Sequence, residues 1–263
     1  MHPSLPLGLA TICSALVAGG CALVDVQTIR GSGELTTTMY DGMEFDELEV
    51  RRGYDLRLTP GTPTRVAITA DDNVMEFLEV GVVDGTLRLD VDDGVNIADV
   101  TLVAEVTAPG VRRIGLHSGA SAELAGRRGA DDLELSLSGG SDLRCSTVEA
   151  GALVLTLGGG SDASCTDVTT DRLEAALDGG SELQLDGTVA SAALSGSGSS
   201  EFALFGLRLA GADVRLSGGS HADLDVSGVL EVDLRDGSDV RYRGDPVIGS
   251  VDLADGSTLE PAS

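Results

Sequence analysis

The chain of 263 residues contains no tryptophan and no lysine, and aromatic residues make up only 3% of it. Its core must therefore be built from aliphatic side chains, which are available because 42% of the residues are hydrophobic. Positive charge is also scarce, since 17 arginines face 43 acidic residues and leave a net charge of −26. Such a charge repels nucleic acids and anionic membrane surfaces, so no nucleic-acid partner is expected.

Complete catalytic and metal-binding motifs are missing as well. GxSxG and GxGxxG are never completed, and neither CxxC nor HExxH occurs. Apart from His2, the histidines are His117 and His221, which fall in predicted corners where solvated side chains are expected. The sequence therefore predicts no catalytic residue and no tightly bound cofactor.

The N-terminal segment has the features of an export signal. Its first twenty residues contain no Asp, Glu, Lys or Arg, and the apolar run within them is too short to span a bilayer. The run ends in LVAGGC, which resembles the lipobox of bacterial lipoproteins. That resemblance implies a signal peptide over residues 1–21, lipid attachment at Cys21 and a tether over residues 22–30. A plain cleaved signal peptide is the alternative, so the protein is expected at the cell envelope, or secreted or periplasmic.

Leucines recur along the second half of the chain at intervals of 17 to 22 residues. These anchor leucines are Leu116, Leu137, Leu157, Leu177, Leu194, Leu216, Leu234 and Leu253. An apolar residue lies two positions before each anchor and a small or polar one lies between, which is the alternation of a half-buried strand. Glycine lies three positions after seven of the eight anchors, with Ser197 as the exception, so a corner with positive φ is predicted there.

A unit of about twenty residues cannot bury its own apolar face, so successive units must stack. A β-helix and a propeller are the two solutions, and the spacing fits the β-helix better because propeller blades need about forty residues. The sequence therefore predicts an all-β fold, a right-handed parallel β-helix with about eight regular coils over residues 114–261. Residues 31–113 show strand patterns without this rhythm and are predicted as larger, irregular coils of the same domain, with a short helix between Asp72 and Leu78.

Two cysteines test the stacking. Cys145 and Cys165 each lie eight residues after an anchor leucine, in adjacent predicted coils. Stacking would place their Cα atoms about 5 Å apart, within the range that a disulfide accepts. The pair is predicted either as a disulfide or as two free thiols stacked in the core.

Several segments resemble a bacterial family, the putative auto-transporter adhesin, head GIN domain. They are Gly31-Ser32-Gly33, FDELEVRRGYDLRLTPG from Phe45, Ala70-Asp71-Asp72-Asn73, VVDGTLRLDV from Val82 and VTAPGVRRIGLHSGAS from Val106. Where the family often has Gly-Ile-Asn, this chain has Gly53-Tyr54-Asp55. The resemblance covers nearly all of the mature chain and implies a parallel β-helix that is exported, often as a lipoprotein, without catalytic residues to carry over.

Acidic residues follow the corner serines and are predicted to stack as Asp142, Asp162 and Glu182, with His221 and Asp239 further along. Carboxylates about 5 Å apart repel one another by about 1 kcal/mol per pair in water. They are therefore expected either to remain solvated or to hold a weakly bound Ca²⁺ between them.

Three functions stay open at this point. The first is a lipid-anchored envelope protein of unknown biochemical activity that binds a surface glycan or protein. The second is a glycan-active enzyme similar to β-helical polysaccharide lyases, for which Arg144, Arg215 and Arg241 are candidate bases. The third is a structural spacer. An enzyme requires a cleft in which acids and an arginine converge, whereas a binding protein or spacer needs only an extended surface.

Overall fold

The structure, a computed structural model, describes residues 27–262, so Cys21 and the predicted signal peptide lie outside the described residues. Its strands are β1 Gln27–Arg30, β2 Leu35–Asp41, β3 Glu47–Arg51, β4 Asp55–Pro60, β5 Arg65–Asp71, β6 Leu78–Val83, β7 Thr86–Val91, β8 Val95–Ala98, β9 Leu102–Ala108, β10 Arg113–His117, β11 Ser121–Ala125, β12 Leu133–Ser138, β13 Asp142–Gly158, β14 Asp162–Leu177, β15 Glu182–Gly196, β16 Glu201–Leu216, β17 His221–Leu234, β18 Asp239–Gly244, β19 Val247–Leu253 and β20 Thr258–Pro261. A single 3-10 turn, Met75–Phe77, lies inside the predicted helical stretch. Within residues 27–262, no helix is long and apolar enough to cross a membrane.

The strands wind into a β-solenoid of about seven turns, which confirms the predicted β-helical fold. Strands hold 69% of the chain, so the all-β class is confirmed too. The pairing of β13 with β14 shows the three faces of a regular coil: residues 152–157 lie on face A, residues 142–146 on face B and residues 148–150 on face C. The pairing is parallel at an offset of twenty residues, as expected for stacked copies of one repeat.

Strand alternation explains the core. On face A, Leu135 and Leu155 are at most 1% exposed, while the residues that follow them, Ser136 and Thr156, point outward. Burying a leucine side chain contributes about 1.5–3 kcal/mol, and each coil adds several. One continuous cluster of buried side chains extends from Ile29 to Val240, so residues 31–113 share their core with the regular coils.

One coil departs from the leucine spacing. Gly196 lies opposite both Leu177 and Leu216, and it is therefore the anchor of its coil instead of Leu194. A Cβ added to Gly196 would lie 2.8 Å from the phenyl ring of Phe202. The fully buried ring of Phe202 thus occupies the space that a leucine fills in the other coils.

Phe202 lies eight residues after Leu194, so the counting that places Cys145 and Cys165 in one column predicts that Phe202 continues it; the structure places Phe202 in a different column. It lies opposite Leu183 and Ala222, whereas Leu204 lies opposite Leu224 and continues the predicted column. The prediction was wrong by two residues here because it counted from Leu194.

Two consecutive residues with positive φ form every corner between faces A and B. Gly159 and Gly160, for example, have φ of 66° and 71°. In the described corners, of which Gly53 belongs to the first and Gly256 to the last, the second residue is glycine with one exception. The exception is Ser199, whose φ is 66°. Ser199 therefore replaces Ser197 as the exception, and it takes a conformation that costs a residue with a Cβ roughly 1 kcal/mol or more.

The N-terminal end is built from both parallel and antiparallel strands. β3 and β4 stack on β10 and β11, so the regular ladder begins before its predicted start at residue 114. β7 pairs parallel with β3, and β9 pairs parallel with β4. Beyond β7 lies β6, which is antiparallel to it. Beyond β9 lie β5 and then β2, each antiparallel to the strand before it. Residues 27–30, at the end of the predicted tether, form β1 and pair with β8.

Two segments that carry the family resemblance meet at this end. Asp71 accepts hydrogen bonds from the backbone N–H groups of Gly33, at 2.6 Å, and Thr101, at 2.8 Å. These bonds lower the pKa of Asp71, with the bond from Thr101 as the largest cause. The Ser32 hydroxyl donates to Asp72 at 2.6 Å. The two motifs therefore fasten the N-terminal coil, which is a structural role.

The cysteine pair joins adjacent coils. Cys145 and Cys165 lie opposite each other on face B, their Cα atoms are 4.4 Å apart, and their sulfurs form a disulfide. Both side chains lie in the core, at 5% and 0% exposure.

Candidate binding surface

The serine that follows the two corner residues of a coil, as in the Gly-Gly-Ser sequences at 139–141, 159–161, 179–181 and 218–220, is buried and bonded within the fold. The members of this serine column are at most 1% exposed; they are Ser141, Ser161, Ser181, Ser200, Ser220 and Ser238. The Ser161 hydroxyl donates to the carbonyl of Gly158 at 2.9 Å and accepts from the N–H of Ser141 at 3.2 Å. Equivalent bonds recur in other coils. The repeated motif therefore closes a corner and leaves no loop for a ligand.

The acidic column lies one residue further along the chain, on the outer surface of face B. Its members in successive coils are Asp142, Asp162, Glu182, Glu201, His221 and Asp239. The first four side chains are exposed. The sequence reasoning missed Glu201 because counting from Leu194 stopped two residues short of it.

Crowding in this column affects Glu182. Partial desolvation, followed by the negative charges of Glu201 and Asp162, raises the pKa of its carboxyl. No group of three or more His, Cys, Asp or Glu within residues 27–262 has the arrangement needed to hold a metal ion. The Ca²⁺ site at Asp142, Asp162 and Glu182 therefore stays a prediction, and their exposure fits the solvated alternative.

His117 is bonded to a neighbouring coil. Its Nδ1 lies 2.7 Å from Oγ of Ser138, and desolvation, followed by the charge of Arg51, lowers the pKa of the imidazole. Nucleophilic catalysis also needs donors for an oxyanion. The N–H groups of Gly139 and Gly140, which follow Ser138, donate instead to carbonyls of the next coil. The serine-histidine contact is therefore part of the corner.

His221 is held between two carboxylates. Its Nε2 lies 2.9 Å from Asp223 and its Nδ1 contacts Asp239. Arg241 donates to the same Asp223 at 2.7 and 2.8 Å. The imidazole, expected to be simply solvated, is thus one member of a polar network at the C-terminal end of face B.

The arginines considered as lyase bases do not converge. Arg215 is on face A, where it donates to Asp213 at 2.8 Å. Arg241 is on face B in the network just described, and Arg144 is also on face B but beside Cys145, several coils away. A cleft that unites them with the acidic column is therefore not formed.

Face A carries an open trough. One depression of about 480 Å³ and another of about 290 Å³ share Thr156, Ala176, Ser195 and Arg215. Thr156, Ala176 and Ser195 lie in one outward column of successive coils, so small side chains form the floor. These two depressions are called the face A trough below.

Charged pairs lie at one end of the trough. Arg215 pairs with Asp213, and Arg235 donates to Asp233 at 3.0 Å and to Asp252 at 3.3 Å. The bond to Asp233 is the largest cause that raises the pKa of Arg235. Both guanidinium groups are tied to carboxylates, so the trough ends in fixed donors beside fixed acceptors.

Three further cavities among the described residues are either small or near the N-terminal end. The cavity between Pro60 and Leu133 holds about 70 Å³, below the ~300–1,000 Å³ typical of small-molecule sites. Depressions of about 510 and 450 Å³ lie beside β6 and β8. The face A trough is the depression among these that lies on the regular coils.

The described residues define a class of protein: a β-solenoid with a filled aliphatic core and open outer faces. The sequence model of the family described as "Putative auto-transporter adhesin, head GIN domain" matches residues 44–246. The chain therefore belongs to that family, and the resemblance seen in the sequence is confirmed.

Solved structures show the same fold. One described as a putative lipid binding protein from Parabacteroides distasonis has a TM-score of 0.84 at 16% identity, covering 90% of this chain and 100% of its own. Structures described as putative adhesins from Parabacteroides merdae and Parabacteroides distasonis have TM-scores of 0.81 and 0.80, both at 18% identity with the same coverage. No curated protein matches the chain.

Proposed function

We propose that the protein is a binding protein of the bacterial envelope, exported and lipid-anchored through Cys21, that holds an extended surface glycan in the face A trough. The observation that carries this proposal is the trough itself, floored by small side chains and ended by paired arginines. The family's adhesin description and the lipobox-like LVAGGC support the location.

The chemistry of the trough favours a glycan over a protein. Thr156, Ser195 and Ser217 supply hydroxyls, and the pairs at Arg215 and Arg235 supply charged donors and acceptors. The anchors of protein interfaces are mostly Trp, Tyr and Arg; neither Trp nor Tyr lines the trough, and its two arginines are already paired with carboxylates. Coils are spaced ~4.8 Å apart, so the trough offers its hydroxyls and charged pairs at successive positions along an extended ligand.

The other functions considered have less support from the described residues. A polysaccharide lyase needs a base near converging acids, but Arg144, Arg215 and Arg241 lie apart. A lipid-binding role, suggested by the description of one similar structure, needs an apolar chamber larger than the 70 Å³ cavity. A spacer would not need the trough.

The test is a glycan and matrix-protein array probed with residues 22–263, which include the whole described core. We expect binding to a subset of glycans that Ala176→Arg abolishes, because the long side chain would fill the floor. The matched control is Thr166→Arg, which places the same group on exposed face B. Binding only to proteins, or glycan binding unchanged by Ala176→Arg, would contradict the proposal.

Two further arms separate the other parts of the proposal. Glycan binding should survive EDTA, whereas loss in EDTA would point to Ca²⁺ at Asp142, Asp162 and Glu182. Metabolic labelling with a fatty-acid analogue should mark the wild-type chain in cells but not Cys21→Ala, and labelling of both would contradict the anchor.

A further inference from the structure

The large apolar side chains that are exposed among the described residues lie at the two ends of the solenoid. At the C-terminal end they are Val229, Val247, Ile248, Val251 and Leu253. At the N-terminal end they are Leu35 and Met39 on β2, and Val82 and Val83 on β6. Of these residues, Ile248, Val251 and Leu253 at one end and Val82 at the other lie opposite buried core residues, so they face the open ends of the core. Exposed apolar groups placed in this way mark surfaces that another molecule covers.

At the C-terminal end the core columns continue into solvent. Val232 is 3% exposed, but Val251, its partner in the next coil, is 43% exposed. Leu234 is fully buried, and its partner Leu253 is 43% exposed. The last coil therefore presents the same inward-facing residues as every other coil, without a coil to cover them.

The backbone at this end is also open. β19 pairs with β17 alone and β20 with β18 alone, so each has one free edge. β20 carries Glu260 and Pro261, which protect an edge against pairing. β19 is seven residues long and has one charged residue, Asp252, so its edge can accept another strand.

The N-terminal end offers matching edges in the same two sheets. On face A the order of strands begins at β6, which pairs with β7 alone. On face B it begins at β2, which pairs with β5 alone. β6 has six residues and, like β19, a single charged residue, Glu79.

We propose that copies of this chain stack head to tail, with β19 of one copy adding to β6 of the next and β20 lying beside β2. A second copy is the occupant that accounts for both ends with one contact, because the face A sheet of one copy then continues into that of its neighbour, while β20 and β2 lie side by side. Such a contact is heterologous, so it leaves one end of each kind free and the assembly can grow.

Charge gives the contact a distinctive salt dependence. Each copy carries −26, so two copies repel, and salt screens this repulsion. Association between copies must therefore strengthen as salt rises. A basic partner bound to the acidic chain would show the opposite dependence.

Three variants of residues 22–263 test the proposal by sedimentation equilibrium. The C-end variant is Val251→Arg with Leu253→Arg, and the N-end variant is Val80→Arg with Val82→Arg, both on β6 opposite buried residues. The control is Thr166→Arg with Thr188→Arg on exposed lateral positions. Wild type and control should form species larger than dimers, with association at least tenfold stronger at 1 M than at 0.1 M salt. Each end variant alone should stay monomeric, whereas their mixture should form a dimer that does not grow.

Two results would overturn the stacking. One is a wild-type chain that stays monomeric at every concentration and at both salt levels, which would mean that the ends are not covered by a second copy. The other is an N-end variant that still dimerises, since two C-terminal ends would then meet symmetrically. Circular dichroism of each variant shows that a negative result does not come from unfolding.

Discussion

Ser161 and Asp162 are neighbours in the chain, yet one lies inside the wall of the solenoid and the other outside it. Ser161 is fully buried and bonded to Gly158 and Ser141, whereas Asp162 is exposed beside other carboxylates. Both belong to columns that run through several coils. A residue type that recurs on the inner side of the wall is therefore explained by the fold. On the outer side, recurrence of a residue type is not by itself evidence of function.

The outward columns differ from one another in how they vary. The face B column stays acidic over four coils, whereas the outward column of face A changes from Thr156 through Ala176 and Ser195 to Arg215. The face A trough exists because of that change, since small residues give way to a long charged one. Binding chemistry is therefore expected where the repeat is broken on the outer surface.

The largest effect should come from placing a charge on the inner side of face A. Leu157→Asp buries an unpaired carboxylate in the core, so we expect a loss of more than about 4 kcal/mol in the free energy of unfolding. Thr156→Asp, one residue away and exposed, should change it by less than about 0.5 kcal/mol. Urea unfolding followed by circular dichroism measures both. Equal effects of the two changes would refute the assignment of inner and outer positions.

The second effect concerns the inner side of face B. The disulfide between Cys145 and Cys165 closes a loop of twenty residues, so reduction should lower the free energy of unfolding by about 3 kcal/mol. The measurement compares urea unfolding with and without reductant. The double variant Cys145→Ala with Cys165→Ala should not respond to reductant. Detection of two free thiols in the protein purified without reductant would support the stacked-thiol alternative instead.

A smaller effect is expected in the serine column. Ser161→Ala removes the acceptor for the buried N–H of Ser141, and leaving such a group unpaired costs about 1–3 kcal/mol. Asp162→Ala, on the other side of the wall, should be neutral or slightly stabilising because it removes one of a row of like charges. Thermal unfolding of the two variants compares them directly. A neutral Ser161→Ala would show that the corner is held by its glycines alone.

The fold could be predicted because its signal is repeated. Eight approximate copies of one apolar pattern outweigh an error in any single copy, so the coil period and the pairing of Cys145 with Cys165 followed from spacing alone. The shift at Gly196 could not be predicted in the same way. It depends on Phe202, whose ring fills the space that Gly196 leaves because it has no side chain. No pattern in the sequence links these two residues.

The candidate site was less accessible to sequence reasoning. Asp142, Asp162 and Glu182 attracted attention because acidic residues in a row suggest a cation, and they do lie in one column. The face A trough has no motif, since Ala176 and Ser195 matter there only for being small. The depression that these small side chains leave can be recognised only when neighbouring coils lie beside one another in the structure.

The smallest effect should appear on the outer side, as a dependence on pH. Partial desolvation and the charges of Glu201 and Asp162 raise the pKa of Glu182 in the folded chain above its unfolded value. Between these two pKa values the folded state binds more protons, so the contribution of Glu182 to stability falls as pH rises through that window. Glu182→Gln should therefore lack this fall and be slightly more stable than wild type at neutral pH.

Salt can separate the two causes of this effect, because it screens the charges of Glu201 and Asp162 but leaves desolvation in place. Thermal unfolding between pH 3 and pH 7, at low and at high salt, should show a difference between wild type and Glu182→Gln that shrinks without vanishing. A Glu182→Gln variant that is less stable than wild type at neutral pH would mean that the carboxylate is stabilised in the folded chain. A bound cation in the column would have that effect, so this outcome would favour the Ca²⁺ site over solvated carboxylates.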